Sequence, residues 1–318
     1  MRISEDLVIN SIRKNFPLYI GDDSAVFGGG AGEKMLISTD SLVEGVHFRL
    51  RYHSPGSLAR KALHQSMSDI AAMGGCPRFL LLSACIPLDF HAEYMDKFIT
   101  SLCFECEKAG VYIIGGNTTK SYGGLNINST VIGARGDSVT VRRSGASVGD
   151  VLCFVGNAGF AHVGFLALEQ NKTSEIFDKF KNTFLWPKAL VDEGQFLAGV
   201  ATAMMDVSDG IFIDAGKMCN ESGVGAIIDV RSLLCDLAFQ EACDFLCINS
   251  EFACVEGGED YGLLFSVPKA LIKQASKNFD KAFGYCFREI GTIKKELGVK
   301  IVNNGQDITK FIHPFNHF

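Results

Sequence analysis

The chain has no GxxxxGK[ST] segment and no GxGxxG fingerprint in its 318 residues. The first absence excludes a P-loop ATPase, and the second argues against a nicotinamide enzyme or a protein-kinase-like phosphate loop. Basic runs are equally scarce. No Lys/Arg block exceeds the pairs Arg142-Arg143 and Lys294-Lys295, and the formal charge is −6, which argues against a nucleic-acid surface and makes small molecules the expected partners. No apolar run is long enough to span a bilayer, because the longest, from Phe79 to Leu88, is strand-sized and contains Pro87. No membrane partner is expected. The start lacks the basic and apolar regions of a secretory signal and the cysteine count, eleven, is odd. Reduced thiols and a cytoplasmic location are therefore the expectation. Cys103 and Cys106 have ligand spacing but fall within a helical pattern with no matched second pair, while Cys243, Cys247 and Cys254 have no histidines nearby. Both groups read as core packing.

What is present is apolar and mixed. With 47% hydrophobic and 21% charged residues, the length suits about two domains. Residues 4–16 read as a helix ended by Pro17, and SAVF and KMLIST as a hairpin that presents Asp23 and Asp40 at strand ends. A helix is expected from Ser57 to Gly74-Gly75, a strand at FLLLSACIP, a helix over 91–109, and a strand VYII with a glycine-rich exit at Gly115-Gly116-Asn117. LNINSTVIGA alternates as a further strand. The small, polar stretch Arg142 to Asp150 marks a boundary, giving an N-terminal domain of 1–140 and a C-terminal α/β domain of 141–318. Beyond it, helices are expected over 160–170 and 188–204, after Asp209 and from Pro268, with strands VLCFV, VGAIIDV, DYGLLFSVP, 284–293 and 298–303.

Acids carry the functional signal. Asp22-Asp23, Asp40, Asp69, Asp206-Val-Ser-Asp209 and Glu259-Asp260 stand mostly beside glycine or hydroxyl residues. Hard oxygen ligands of this kind hold Mg²⁺ between phosphates. Singly, Gly21-Asp22-Asp23-Ser24 fits a turn, Ser38-Thr39-Asp40-Ser41 a strand end and Ser208-Asp209 a helix cap. Together, the first two flank one hairpin. Asp69 is more telling, since its helical neighbours Met67, Ile70, Ala71 and Met73 face inward and no Lys or Arg lies one turn away; an unpaired buried carboxylate is costly, and metal is the favoured compensation. The helix start at Ser208 offers free N–H groups to phosphate. His47, Arg143 and Glu259 decide nothing singly.

The motifs GDDSAVF, STDSLVEGVHF, SDIAAMGG, GGNTTKS, RRSGASVGD, DVSDGIFIDAGK and GGEDYGLLFSVP occur in the order seen in thiamine-monophosphate kinases, and the chain resembles that family over most of its length. The resemblance implies an α/β (α+β, mixed-sheet) two-domain fold of the aminoimidazole-ribonucleotide-synthetase-like superfamily, whose N-terminal sheet builds a homodimer. It implies an ATP:thiamine-phosphate phosphotransferase that uses several Mg²⁺ ions and ATP to convert thiamine monophosphate to thiamine diphosphate. Carried over by position, metal contacts fall on Asp23, Ser38, Thr39, Asp40, Asp69, Asn117, Asp206 and Asp209, of which Asp69, Asp206 and Asp209 are catalytic. ATP contacts fall on Gly116, Asn117, Arg143 and Ser208, and substrate contacts on His47, Glu259 and Phe315.

Some positions depart from the family pattern. Asn117 replaces an aspartate and offers a neutral amide, Asn316 replaces another, Trp186-Pro187-Lys188 lacks the usual arginine, and Gly156-Asn157-Ala158-Gly159 varies a glycine-aspartate loop. The competing readings are another ATP-using enzyme of the superfamily and a catalytically impaired nucleotide-binding protein. A selenophosphate synthetase is disfavoured because the first cysteine is Cys76, and a hydrogenase-maturation dehydratase because the chain ends His317-Phe318.

Overall fold

The computed structural model describes residues 9–10, 12–14, 21–28, 32–136, 140–234 and 236–313. Residues 9–10 and 12–14 are helical, as expected; the rest of the segment 4–16 lies outside the described residues. Two sheets organise the chain. The first has five strands in the order β1 (Ala25–Gly28), β2 (Lys34–Val43), β5 (Asn126–Arg135), β3 (Cys76–Pro87), β4 (Tyr112–Ser121). β1 and β2 form the expected antiparallel hairpin, in the register Ala25 to Ile37, but β2 runs on to Val43, so Asp40 lies within the strand and not at its end. The strand β4 runs parallel to β3 and continues through Gly115-Gly116-Asn117, so this glycine-rich stretch lies within a strand and is not its exit. Gly116 is obligatory there, because a Cβ would sit 1.7 Å from the carbonyl oxygen of Leu82.

One face of this sheet carries the helices α1 (Pro55–Ala72) and α2 (Ala92–Ala109), packed through Leu36, Leu63, Ile70, Leu80, Phe98 and Val131. α1 starts at Ser54, whose side chain accepts the Ser57 N–H, with Pro55 in its first turn. Thirteen of its 18 residues are buried, which marks a helix enclosed on most sides. The enclosure comes from the second half of the chain.

The second sheet has seven strands in the order β12 (Gln306–Asp307), β11 (Gly298–Asn303), β8 (Gly225–Asp229), β10 (Arg288–Lys294), β6 (Val151–Val155), β9 (Gly262–Val267), β7 (Ala203–Val207). All its pairings are antiparallel except β11 with β8. Helices α3 (Phe160–Glu169), α4 (Asp178–Leu185), α6 (Ile211–Ser222), α7 (Leu237–Phe245) and α8 (Ser250–Glu256) pack on one face. On the other lie α5 (Val191–Leu197), α9 (Ile272–Phe283) and the end of α1 at Ala72.

Two expectations shift. The segment read as one helix over 188–204 divides into the short α5, a turn, and β7, an edge strand whose five residues are all buried. The last helix begins at Ile272, because Pro268 opens a turn closed by the Leu271 N–H on its carbonyl. β7 is buried despite its edge position because α1 of the first sheet lies against it. That contact brings the two groups of acids together.

Candidate active site

α1 presents a polar row, Lys61, Gln65 and Asp69, at helical spacing. Gln65 donates to Asp40 on β2 (3.1 Å), and Ser38 of the same strand donates to Asp69. From the other side, β7 contributes Asp206, and the segment before β1 contributes Asp23. Carboxylate oxygens of Asp23, Asp69 and Asp206 all lie within 4.8 Å of one another. Three of the sequence-distant acids therefore converge, with Ser38 and Asp40 adjoining them through their bonds to Asp69 and Gln65, while Asp209 does not join the group. Burial, then the charges of Asp40, Asp206 and Asp23, holds the Asp69 carboxyl well above the usual range; burial and Asp23 do the same for Asp206. Burial also raises Asp40. Asp23 Oδ2 and Asp40 Oδ2 are buried without a protein hydrogen-bond partner, a donor set of the kind a hard cation satisfies.

Arg143 enters from the second half and donates from Nε (3.1 Å) and Nη2 (2.7 Å) to Asp23 Oδ1. Its neighbours tie the same turn, Arg142 Nη1 and the Arg143 N–H both binding Asp22 (2.6 and 3.1 Å).

Asp209 stands apart from the three clustered carboxylates. Its Oδ2 is bonded by Lys217 of α6, which also bonds Asp214 (3.0 Å). Asp214, fully buried, accepts the N–H groups of Ser208, Asp209 and Gly210 at 3.1, 3.0 and 3.2 Å. The helix start expected to offer free donors to phosphate is thus already capped by a carboxylate of its own first turn. Burial lifts Asp214 to about 6 against the pull of Lys217. Neither residue was singled out from sequence, although an acid in a helix's first turn is a capping signal.

The turn Gly257-Gly258-Glu259-Asp260 closes on this loop. A Cβ on Gly258 would meet the Ser208 carbonyl oxygen at 2.3 Å, and the Glu259 N–H bonds that same oxygen (2.8 Å). Glu259 and Tyr261 both adopt positive φ, 63° and 50°. The Glu259 carboxylate meets Lys61 Nζ at 2.9 Å. Asp260 turns away from the cleft to cap α3, accepting from Gly159 (2.5 Å) and Ala161 (2.9 Å). His47 follows β2 and accepts the Val43 N–H on Nδ1 (3.0 Å).

Three expected contacts lie elsewhere. Thr39 points to the face of the sheet opposite Ser38 and Asp40, where it bonds Thr130 (2.8 Å). Gly116 and Asn117 stand on the exposed edge strand β4; the sheet row Asp40, Ser129, Leu82, Gly116 places them three strands from β2, about 14 Å at the usual spacing. Asn117 also shares the open face with Ser41, Asn128 and Ser83. Phe315 and Asn316 lie outside the described residues.

Two α/β halves with an acidic cleft between them define a protein of the AIR-synthase-related class. The family models for the AIR synthase related protein, N-terminal domain and C-terminal domain, match residues 21–134 and 147–303. Among curated proteins, the chain is 33% identical to the thiamine-monophosphate kinase of Buchnera aphidicola subsp. Acyrthosiphon pisum, over 94% of this chain and 92% of that one. It is also 33% identical to that of Salmonella typhimurium, over 98% and 94%. The solved structure of AaThiL complexed with AMPPCP and TMP superposes with a TM-score of 0.89 at 30% identity, covering 100% of this chain and 99% of that one. The chain belongs to the thiamine-monophosphate kinase family.

Proposed function

We propose that this protein transfers the γ-phosphoryl group of ATP to thiamine monophosphate, giving thiamine diphosphate and ADP, with Mg²⁺ held by the clustered acids. The observation that carries the reading is the mutual approach of Asp23, Asp69 and Asp206, with orphaned oxygens on Asp23 and Asp40, in a chain so similar to a relative complexed with AMPPCP and TMP. Three carboxylates this close, those of Asp23 and Asp206 buried and that of Asp69 half-buried, are unfavourable without added positive charge. Ser38, Asp40 and Asp209 extend the donor set, and several ions are the expected stoichiometry. When bound, Mg²⁺ supplies the charge that lets two polyanions meet and that stabilises the leaving oxygen.

The acceptor is a phosphate monoester whose second pKa of about 6 leaves the attacking oxygen mostly ionised at neutral pH. No general base is needed. A new P–O bond forms to the γ-phosphorus as the bond to ADP breaks, and the chain's task is positioning. Arg143 offers its guanidinium, and Ser208 its hydroxyl, to the ATP phosphates. His47 and Glu259, with Phe315 near the end of the chain, are the contacts for the thiamine moiety.

The division at 140/141 and a cytoplasmic location belong to the same reading; among the described residues no helix is long and apolar enough to cross a membrane. A homodimer fits the unpaired edge of β4, where Tyr112, Ile113 and Ile114 are exposed. In a dimer built there, Gly116 and Asn117 serve ATP at the junction of two chains.

Purified protein incubated with Mg-ATP and thiamine monophosphate is expected to form thiamine diphosphate, detected by chromatography, and EDTA to stop it. ATP binding with no product would overturn the reading in favour of an impaired nucleotide-binding protein.

A further inference from the structure

Lys61 is fully buried, a rare condition for lysine unless its ammonium is paired. It belongs to α1, on the row that carries Gln65 and Asp69. Its Nζ meets Glu259 Oε2 at 2.9 Å and lies over the ring of Phe184, 4.2 Å from the centroid. His53 packs edge-on against the same ring, at 5.5 Å. Burial first, then the Lys61 charge, lowers His53 to about 3, so it stays neutral beside the ammonium.

Glu259 is held from two directions. Its backbone, at φ 63°, is bonded to the Ser208 carbonyl on the loop that follows Asp206. Its carboxylate reaches back across the cleft to α1. The side chain remains 26% exposed, so the pair is sealed on the lysine side and open on the glutamate side. A free glutamate samples many rotamers, and ordering it on substrate binding costs affinity. A buried cation fixed to Oε2 removes that freedom beforehand.

We propose that Lys61 is a positioning residue for the acceptor: its sealed ammonium clamps Glu259 Oε2 so that Oε1 is presented to the cationic, amine-bearing body of thiamine monophosphate. The proposal rests on the reading of Glu259 as a substrate contact. A clamp of this kind strengthens binding of ground state and transition state alike and therefore shows in KM for the acceptor. ATP has no part in it.

The test uses the full-length protein with Mg-ATP and thiamine monophosphate, comparing Lys61→Met, Glu259→Gln and the double variant, with thermal unfolding of each as a control. Lys61→Met is expected to raise KM for thiamine monophosphate about tenfold, with KM for ATP and kcat changed less than about threefold. The double variant is expected to be no worse than Glu259→Gln, because the lysine acts only through that carboxylate. Where the methionine variant does not fold, Lys61→Gln takes its place. If Glu259→Gln raises KM and the Lys61 variant does not, the clamp is wrong and the substrate contact stands. If Glu259→Gln leaves KM unchanged, the contact itself is wrong and the clamp falls with it. Equal rises in both KM values, or additive effects in the double variant, would mark a general packing role and overturn the proposal.

Discussion

Arg143 closes on Asp23 through two N–H bonds to a single carboxylate oxygen, at 3.1 and 2.7 Å, leaving Oδ2 of that aspartate without a protein partner. The Asp23 side chain is fully enclosed, and that of Arg143 is 22% exposed. Removing the guanidinium strands a buried charge. Arg143→Ala is expected to lower the unfolding free energy in EDTA by about 2–4 kcal/mol, measured by chemical denaturation. Millimolar Mg²⁺ is expected to restore part of the loss. An unchanged midpoint in EDTA would show that the pair contributes nothing.

Asp69→Asn and Asp206→Asn keep shape and remove one of the mutually repelling charges. Turnover is expected to fall by about a thousandfold or more, since each change removes a ligand of the cation-holding cluster. The metal-free variants are expected to be at least as stable as the parent, because burial and neighbouring acids hold both carboxyls above their ordinary range. Rates near those of the parent protein in either variant would count against the assignment of the cluster.

Asp260 is half-buried beneath α3, and burial raises it from 3.8 to about 7 although two N–H groups donate to it. A carboxyl whose folded pKa is raised contributes stability below its unfolded pKa and loses it as pH climbs through the folded value. The parent protein is therefore expected to lose about 2–4 kcal/mol from this group between pH 4 and 7. Asp260→Asn, which does not titrate, should lack that slope. Parallel stability–pH curves for the two proteins would refute the claim.

Gly258 lets the Glu259 turn touch the Ser208 carbonyl, with 2.3 Å available where a Cβ would go. Gly258→Ala must push the turn from the loop that carries Asp206 and Asp209. A stability loss of about 1–3 kcal/mol is expected, together with a raised KM for the acceptor. Denaturation and steady-state kinetics would check both.

The edge of β4 offers a simple oligomer test. Sedimentation of the 34.5 kDa chain is expected to give twice that mass, and Ile114→Lys, which sets a charge on the exposed edge strand, to return it to the single-chain value. A parent protein that sediments as a monomer would remove the dimer from the proposal.

Much of the fold was legible along the chain because its signals are local. Alternation in residues 126–135 and the β1–β2 hairpin depend on neighbours within a few positions, and both formed where expected; α1, expected from Ser57, starts earlier, at Pro55 behind the Ser54 cap. Asp69 was legible for the same reason: a carboxylate among inward-facing apolar residues of one helix is a local contradiction that needs a distant partner. The elements that went astray depended on tertiary contacts. β7 becomes a strand because β9 pairs with it and α1 covers it, and nothing within residues 188–204 encodes that partner. β4 continues through its glycines because β3 supplies the ladder.

The sequence by itself determined the kinds of group available: an excess of oxygen donors beside glycine and hydroxyl residues, few clustered cations, and a motif order that marks the family. Only the tertiary structure decided which of those donors meet. Asp23, Asp69 and Asp206 converge because α1 of one sheet seals the edge strand of the other, whereas Asn117, in a motif as suggestive, is carried to the open face three strands away. Lys61 gains its role in the same way. A charged side chain's role is set by what lies within a few ångströms when water is excluded, and that neighbourhood is assembled from residues up to about two hundred positions apart.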